Sequence, residues 1–406
     1  MSLISYDEAL SLVLENTKRV DTEKVPLDMA LYRVLAEDVF ADTDKPPFDS
    51  SAMDGYAVKY EDIKSASEES PIKLKVLTEI PAGAKENNHL KRGEAALIFT
   101  GAPIPGGVDV VVPLELTHTE EGFVFVKHPL KRGSNIRKRG EEVKKGEKLI
   151  ESGTWIRPYE VGLMASVNKV LPQVYRRPRV GILSTGDEIK DIGDTLEEPS
   201  QIRSSNGHIL LAQVLKSGGE ACYIGIVKDN SEEIRKALEC MHSYDVFITT
   251  GGVSAGGKDY TQYIVKDMGV DVKFHRLRIK PAKPVLFGVY GNSKLFFGLP
   301  GNPVSCTIAF DLFVYPALLK MVGRRDFAPN VFRAILEEDF YRRDGERREF
   351  VRAKVSFREE KAYCSYSPKT QSHMLTSYVD MNAYMIVYEG VKELKKGGLV
   401  DVIMFP

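Results

Sequence analysis

Between Arg179 and Val322 short apolar runs alternate with longer amphipathic ones, and this alternation constrains the fold more than any other feature of the chain. VGILSTG, ACYIGIV, DVFITTGG and KLFFGLP are continuous apolar runs, three of them closed by Gly or Pro. SNGHILLAQVLKSGG, SEEIRKALECMH and DYTQYIVKDMG lie between them with apolar residues at helical spacing, and a long helix follows Gly301. Strands with no polar face must be covered on both sides, which parallel strands achieve through crossover helices. The expectation is a three-layer α/β domain with a parallel-type sheet over residues 175–323.

The flanks read differently. Ser5-Tyr6-Asp7-Glu8 is a capping box opening a helix through Ala9, Leu10, Val13 and Leu14. A second short helix is expected over Leu27–Leu35, before Pro46-Pro47 rules helix out. IKLKVLTEI alternates, VDVVVPLEL is β-branched, and Glu121-Gly122 separates two strand-like runs as a hairpin turn. After residue 324 about five strand-like runs, FVRAKVSF among them, suffice for a small barrel. The expected domains are therefore an N-terminal and linker domain (1–26 with 142–174), a β-rich insertion (27–141), the α/β domain (175–323) and a C-terminal small β-barrel (324–406).

Composition narrows the function by exclusion. Lys plus Arg (56) nearly equals Asp plus Glu (57), so no net field favours nucleic acid or an acidic membrane. Cys222, Cys240, Cys306 and Cys364 are widely spaced, which argues against zinc and disulfides and fits a reducing cytoplasm. The apolar stretch Val304–Val322 is broken by Asp311, Pro316 and Lys320 and reads as a buried helix, not a membrane span.

Ligands of open α/β sheets bind beyond the carboxyl ends of the strands. Three runs end there in polar or glycine-rich turns: Thr185-Gly186-Asp187-Glu188, Thr250-Gly251-Gly252-Val253-Ser254, and Leu299-Pro300-Gly301-Asn302-Pro303. Two of them open helices, whose free N–H groups favour an anion. Gly252–Lys258 fits G-x-x-x-x-G-K, but Asp259 stands where a phosphate-binding P-loop needs Ser or Thr, so a Walker ATPase is not indicated. The loop reads instead as an anion nest ending in a carboxylate. Asp187, Glu188, Asp229 and Asp259 all follow strands, and acids beside a phosphate call for an intervening cation such as Mg²⁺. Lys280-Pro281-Ala282-Lys283-Pro284 fixes two ammonium groups near each other, which suits an oxyanion.

In order, SSAMDGYA (50–57), IFTGAPIP (98–105), LSTGDEI (183–189), TTGGVSAGGKDY (249–260), KPAKP (280–284) and LPGNPVS (299–305) closely resemble the MoeA family of molybdopterin molybdenumtransferases, related to the E domain of gephyrin. The resemblance spans essentially the whole chain. It implies insertion of molybdate into adenylylated molybdopterin, assisted by Mg²⁺, with release of AMP. It also implies a four-domain protomer in a homodimer whose cleft is shared between chains, a cytoplasmic setting, and dealings with other enzymes of molybdenum cofactor biosynthesis. By motif, Asp54, Asp187 and Glu188 match the catalytic acids. Thr100, Asp229, Gly251, Gly252, Ser254, Asp259, Gly301, Asn302 and Pro303 match the pterin–nucleotide cleft. Lys280, Lys283, Arg352 and Ser372 match the molybdate pocket, and Glu188 with Asp259 the magnesium site.

Three positions depart from the family pattern: Glu142 in place of Asp, Arg276 where some members carry Lys, and Ala282 for the Gly of K-P-G-K-P. Tungstate is an alternative oxyanion, nearly equal in size and charge. A non-catalytic scaffold, a role known among gephyrin relatives, would not need the acids and lysines. An adenylyltransferase acting one step earlier would not need the insertion and barrel.

Overall fold

The computed structural model describes residues 3–85, 89–252, 260–291 and 293–406. The chain divides into two compact units. One comprises Met1–Glu37, Ser152–Pro158 and Leu171–Pro406; the other comprises Asp38–Glu151 and Tyr159–Val170.

In the first unit, helix α1 (Tyr6–Asn16) starts where expected: the Ser5 hydroxyl accepts from the Glu8 N–H at 3.2 Å. The helix expected over Leu27–Leu35 is only one 3₁₀ turn, Leu27–Met29. Val34 and Leu35 instead form β-bridges to Trp155 and Val174. β-branched Val34 is as well suited to a strand as to a helix, and distant chain decided the matter.

The second unit holds a six-stranded sheet of β1 (Gly55–Val58), β2 (Ile72–Ile80), β3 (Glu94–Ile98), β4 (Val110–Pro113), β5 (Thr117–Glu120) and β6 (Phe123–Val126). Their order is 4-1-3-2-6-5. β5 and β6 pair antiparallel with Glu120 opposite Phe123, so Glu121-Gly122 is the two-residue hairpin turn. Both residues have positive φ (46° and 81°), the requirement of a turn that follows strand twist.

The α/β layer of the first unit contains β7 (Arg179–Thr185), α2 (Asn206–Lys216), β8 (Glu220–Val227), α3 (Ser231–Leu238), β9 (Val246–Thr250), α4 (Tyr260–Asp267), β10 (Asp271–Arg276), β11 (Pro284–Tyr290) and β12 (Lys294–Leu299). The strand order is 8-7-9-12-11-10. β8, β7, β9 and β12 are parallel, while β11 and β10 run antiparallel at one edge. Alternate residues of each central strand feed opposite cores. Ile182, Ile248 and Phe297 pack with Leu210 and Val214 of α2 on one face. Leu183, Phe247 and Phe296 pack with Ile234 and Leu238 of α3 on the other. Helix α5 begins at Pro303 and runs on to Met321; it is the one described helix long and apolar enough to cross a membrane, and 83% of that stretch is buried inside the protein.

Strands β13 (Val331–Leu336), β14 (Arg348–Arg358), β15 (Lys361–Tyr366), β16 (Ala383–Val387) and β17 (Leu399–Met404) close into a barrel. The ring runs 14-15-13-17-16 and returns to 14. Its core includes Ala353, Val355, Met385 and Val402, which face inward along alternating strands.

Candidate functional site

The parallel register brings the three strand ends together. Ser184 lies opposite Thr250, and Thr250 opposite Leu299, so the turns after β7, β9 and β12 emerge side by side. They enclose a cavity of about 510 Å³ lined by Glu188, Asp229, Gly251, Gly252, Gly301, Asn302 and Pro303 among others. Ser254 and Asp259 lie outside the described residues. Asp187 does not line the cavity; its carboxylate is exposed and accepts from the Asp229 N–H at 3.2 Å.

The glycines have a steric cause. Gly251 adopts φ +94°, and a Cβ there would sit 2.3 Å from the Thr185 carbonyl oxygen. Gly252 adopts φ +62°, with the Thr261 and Thr185 hydroxyls 2.7 and 3.1 Å from where its Cβ would be. Only glycine permits this backbone this close to the neighbouring strand end. Both hydroxyls are buried and lack a hydrogen-bond partner among the described residues. Buried polar atoms are rarely left so, and an unpaired pair beside a glycine turn fits a polar ligand.

Sequence reading missed Asn206. Its side-chain amide donates to the Thr250 hydroxyl at 2.8 Å and to the Gly301 carbonyl at 2.7 Å, tying two turns together. In sequence, Ser205-Asn206 marks only the start of a helix. The available signal was that α2 also begins on this edge of the sheet.

A second cavity, about 440 Å³, adjoins the first. Lys280, Lys283 and Ser372 line it, together with Arg347, Thr370 and Gln371. Pro284, Asn302 and His373 line both cavities and form their common wall. Lys280 is held by an ion pair of 3.0 Å to Glu349, which is itself buried. An ammonium has three donors, so this pairing orients Lys280 and leaves donors for an anion. Lys283 is exposed, and its side chain makes no hydrogen bond or ion pair among the described residues. Ala282, standing where the family pattern has Gly, is buried with φ +73°, a conformation that favours glycine. Ser372 accepts from the Asn302 side chain at 3.1 Å, and its carbonyl accepts from the Val304 N–H at 3.1 Å.

Arg352 lines neither cavity. It is 1% exposed, and its guanidinium donates to the Ser377 hydroxyl at 3.0 Å, the Lys369 carbonyl at 2.6 Å and the Gln371 carbonyl at 3.4 Å. Its reach to the lysine cavity is through the segment it grips. Arg276 lines neither cavity; its carbonyl accepts from the Ile4 N–H.

In the second unit, Asp54 and Thr100 form a pair. β1 and β3 run antiparallel with Gly55 opposite Ile98, which sets the turn before β1 beside the turn after β3. The Asp54 carboxylate accepts from the Thr100 N–H at 2.8 Å and its hydroxyl at 2.9 Å. These bonds, the N–H foremost, hold its carboxyl below the usual range and keep it ionised. Gly55 is required because a Cβ there would lie 2.1 Å from the Val112 carbonyl oxygen of β4. A separate cavity in this unit is lined by Gly101, Arg137, Glu141 and Glu142 with Pro46 and Pro47.

Comparison with known proteins accounts for this architecture. Residues 4–168 match the family profile of the MoeA N-terminal region (domain I and II), 181–320 that of a probable molybdopterin binding domain, and 333–405 that of the MoeA C-terminal region (domain IV). A molybdopterin molybdenumtransferase of Bacillus subtilis is 36% identical over 99% of this chain and 94% of its own length. One from Nostoc is 37% identical over 84% of this chain and 79% of its own. The crystal structure of the molybdopterin biosynthesis MoeA protein from Pyrococcus horikoshii OT3 superposes over the whole of both chains, with a TM-score of 0.84 at 34% identity. With matching profiles over most of its length, relatives of full extent and the same fold, the chain belongs to the MoeA family of molybdopterin molybdenumtransferases.

Proposed function

We propose that this transferase inserts molybdate into adenylylated molybdopterin and releases AMP. The observation that carries the reading is the shared wall of Pro284, Asn302 and His373, with an amide-rich cavity on one side and a lysine-lined one on the other. Two anions can thus be held as neighbours.

In this reading the phosphate of the nucleotide rests against the turns at Gly251-Gly252 and Gly301-Asn302, where backbone N–H groups and the start of α5 favour negative charge. Asn206 keeps those two turns in register. Molybdate takes charge-assisted hydrogen bonds from Lys280 and Lys283, with Ser372 as a neutral partner and Arg352 supporting the wall behind it. Asp54, kept ionised by Thr100, supplies a second essential carboxylate. Nearness of oxyanion and pterin supplies the orientation that a bimolecular exchange otherwise lacks. The metal-binding sulfurs come from the substrate, since no cysteine lines either cavity.

Magnesium fits the residues present. It prefers one or two carboxylates, with water and phosphate oxygens completing its shell. Glu188 offers a carboxylate on the wall of the phosphate cavity, and the Thr185 hydroxyl, on the same wall, is buried and without a partner among the described residues. Glu188, with Asp259, would hold the ion. When bound, the ion neutralises charge that develops as the phosphoanhydride breaks. We further propose a homodimer with a cleft shared between chains. The four free cysteines support a reducing cytoplasmic setting.

The test supplies adenylylated molybdopterin and follows AMP. Release from the wild type should require molybdate, and Glu188→Gln should abolish it with the fold intact. Full turnover by Glu188→Gln would overturn the assignment of that carboxylate. ATP consumption in its place would favour an adenylyltransferase.

A further inference from the structure

The acid that interrupts the long apolar helix has a defined place. At Phe310–Val314 the helix widens into a π turn, a local form that often marks functional positions. Asp311 lies within it, half-buried and lining two cavities. One carboxylate oxygen accepts from the Gln213 amide of α2 at 2.7 Å. The other accepts from the Tyr384 hydroxyl of β16 at 2.6 Å. Tyr384 is 1% exposed, and its hydroxyl lies 3.0 Å from that of Tyr378.

This chain of hydroxyls ends on the segment that walls the oxyanion cavity. Tyr384 lies directly opposite Arg352 across the barrel strands. Arg352 grips Lys369, Gln371 and Ser377, while the Asp311–Tyr384 pair reaches Tyr378, the next residue. Between these anchors lie Ser372 and His373, which face the cavity. Thus one segment is clamped twice, by a guanidinium on the outer face of the barrel and by a carboxylate reaching out of the α/β layer.

We infer that Asp311, acting through Tyr384 and Tyr378, is a positioning residue that sets the oxyanion-binding wall without touching substrate. The inference rests on the lysine-lined cavity being the oxyanion site. The experiment separates the two claims by comparing wild type, Lys283→Ala, Tyr384→Phe and Asp311→Asn in AMP release, with thermal midpoints for all four. Tyr384→Phe keeps the ring and removes only the hydroxyl, so it carries the test should Asp311→Asn not fold.

A loosened wall predicts a KM for molybdate raised about tenfold, within the range that a misplaced binding group produces. The KM for the adenylylated pterin and the kcat at saturating molybdate should stay within about twofold of wild type. A merely structural role would instead lower the midpoint and kcat together with no selective effect on molybdate, and that result overturns the inference. So does an unchanged molybdate KM in folded Tyr384→Phe. If Lys283→Ala leaves the molybdate KM unaltered, the site assignment itself fails.

Discussion

Replacing Gly251 by Ala adds one methyl where the structure has no room. At φ +94° an L-residue is strained by roughly 1–2 kcal/mol. The new Cβ would also lie 2.3 Å from the Thr185 carbonyl oxygen and 2.8 Å from its hydroxyl, far inside contact distance. Neither side yields easily. Thr185 ends β7, which is hydrogen-bonded between β8 and β9, and the Gly251 N–H donates to the Leu299 carbonyl. Forcing such an overlap typically costs a further 1–3 kcal/mol. Gly218→Ala is the matched control: its φ is +82°, but nothing lies within 4 Å of the added methyl. Urea titrations of the two variants, compared with each other because a multidomain chain need not unfold in two states, should place Gly251→Ala lower. Activity should fall at least tenfold in Gly251→Ala and stay near wild type in Gly218→Ala. Equal midpoints and equal turnover would refute the claim that this turn is held in place by close approach.

Burial lifts the Asp311 carboxyl from 3.8 to about 7, with Tyr384 and Gln213 acting against the rise. Between those values the folded protein holds a proton the unfolded chain has released, so stability falls as pH rises from about 4 towards 7. Asp311→Asn should therefore gain on wild type as pH rises from 5 to 8, by on the order of 1–2 kcal/mol with water reaching the carboxyl from the cavities; a thermal-midpoint difference that is flat with pH contradicts this. Lys280→Ala and Lys283→Ala should both weaken molybdate binding, measured by calorimetry. Only Lys280→Ala should also lower the thermal midpoint, because it strips one of two cations from buried Glu349 and leaves Arg342, at 3.5 Å, as its remaining partner. Ala282→Gly, unlike an ordinary buried Ala→Gly change, should stay within about 1 kcal/mol of wild type in urea, since relief of positive φ offsets the lost methyl.

Much of this was readable because parallel strands are apolar on both faces. VGILS, DVFIT and KLFFG announce themselves, and their glycine turns mark the binding edge from sequence alone. The hairpin at Glu121-Gly122 was equally plain, since it needs positive φ at both residues. What stayed hidden depends on distant chain. The Leu27–Leu35 segment has its conformation decided by Trp155 and Val174. The antiparallel pairing of β10 with β11 leaves no local mark. Arg352 sits in a strand-like run that carries no local sign of its partners, the carbonyls 17 and 19 residues onward that its buried guanidinium holds. Asp311 read as a blemish in an apolar helix because Tyr384, its partner, lies 73 residues away.

The central claim is that two anion sites share one wall. Crystals soaked with molybdate and AMP test it most directly, through anomalous scattering from molybdenum. A molybdenum peak is expected within hydrogen-bonding reach of Lys280 and Lys283, and phosphate density against Gly251 and Gly301 across Asn302. Molybdenum bound away from those lysines, or phosphate away from the glycine turns, would contradict it.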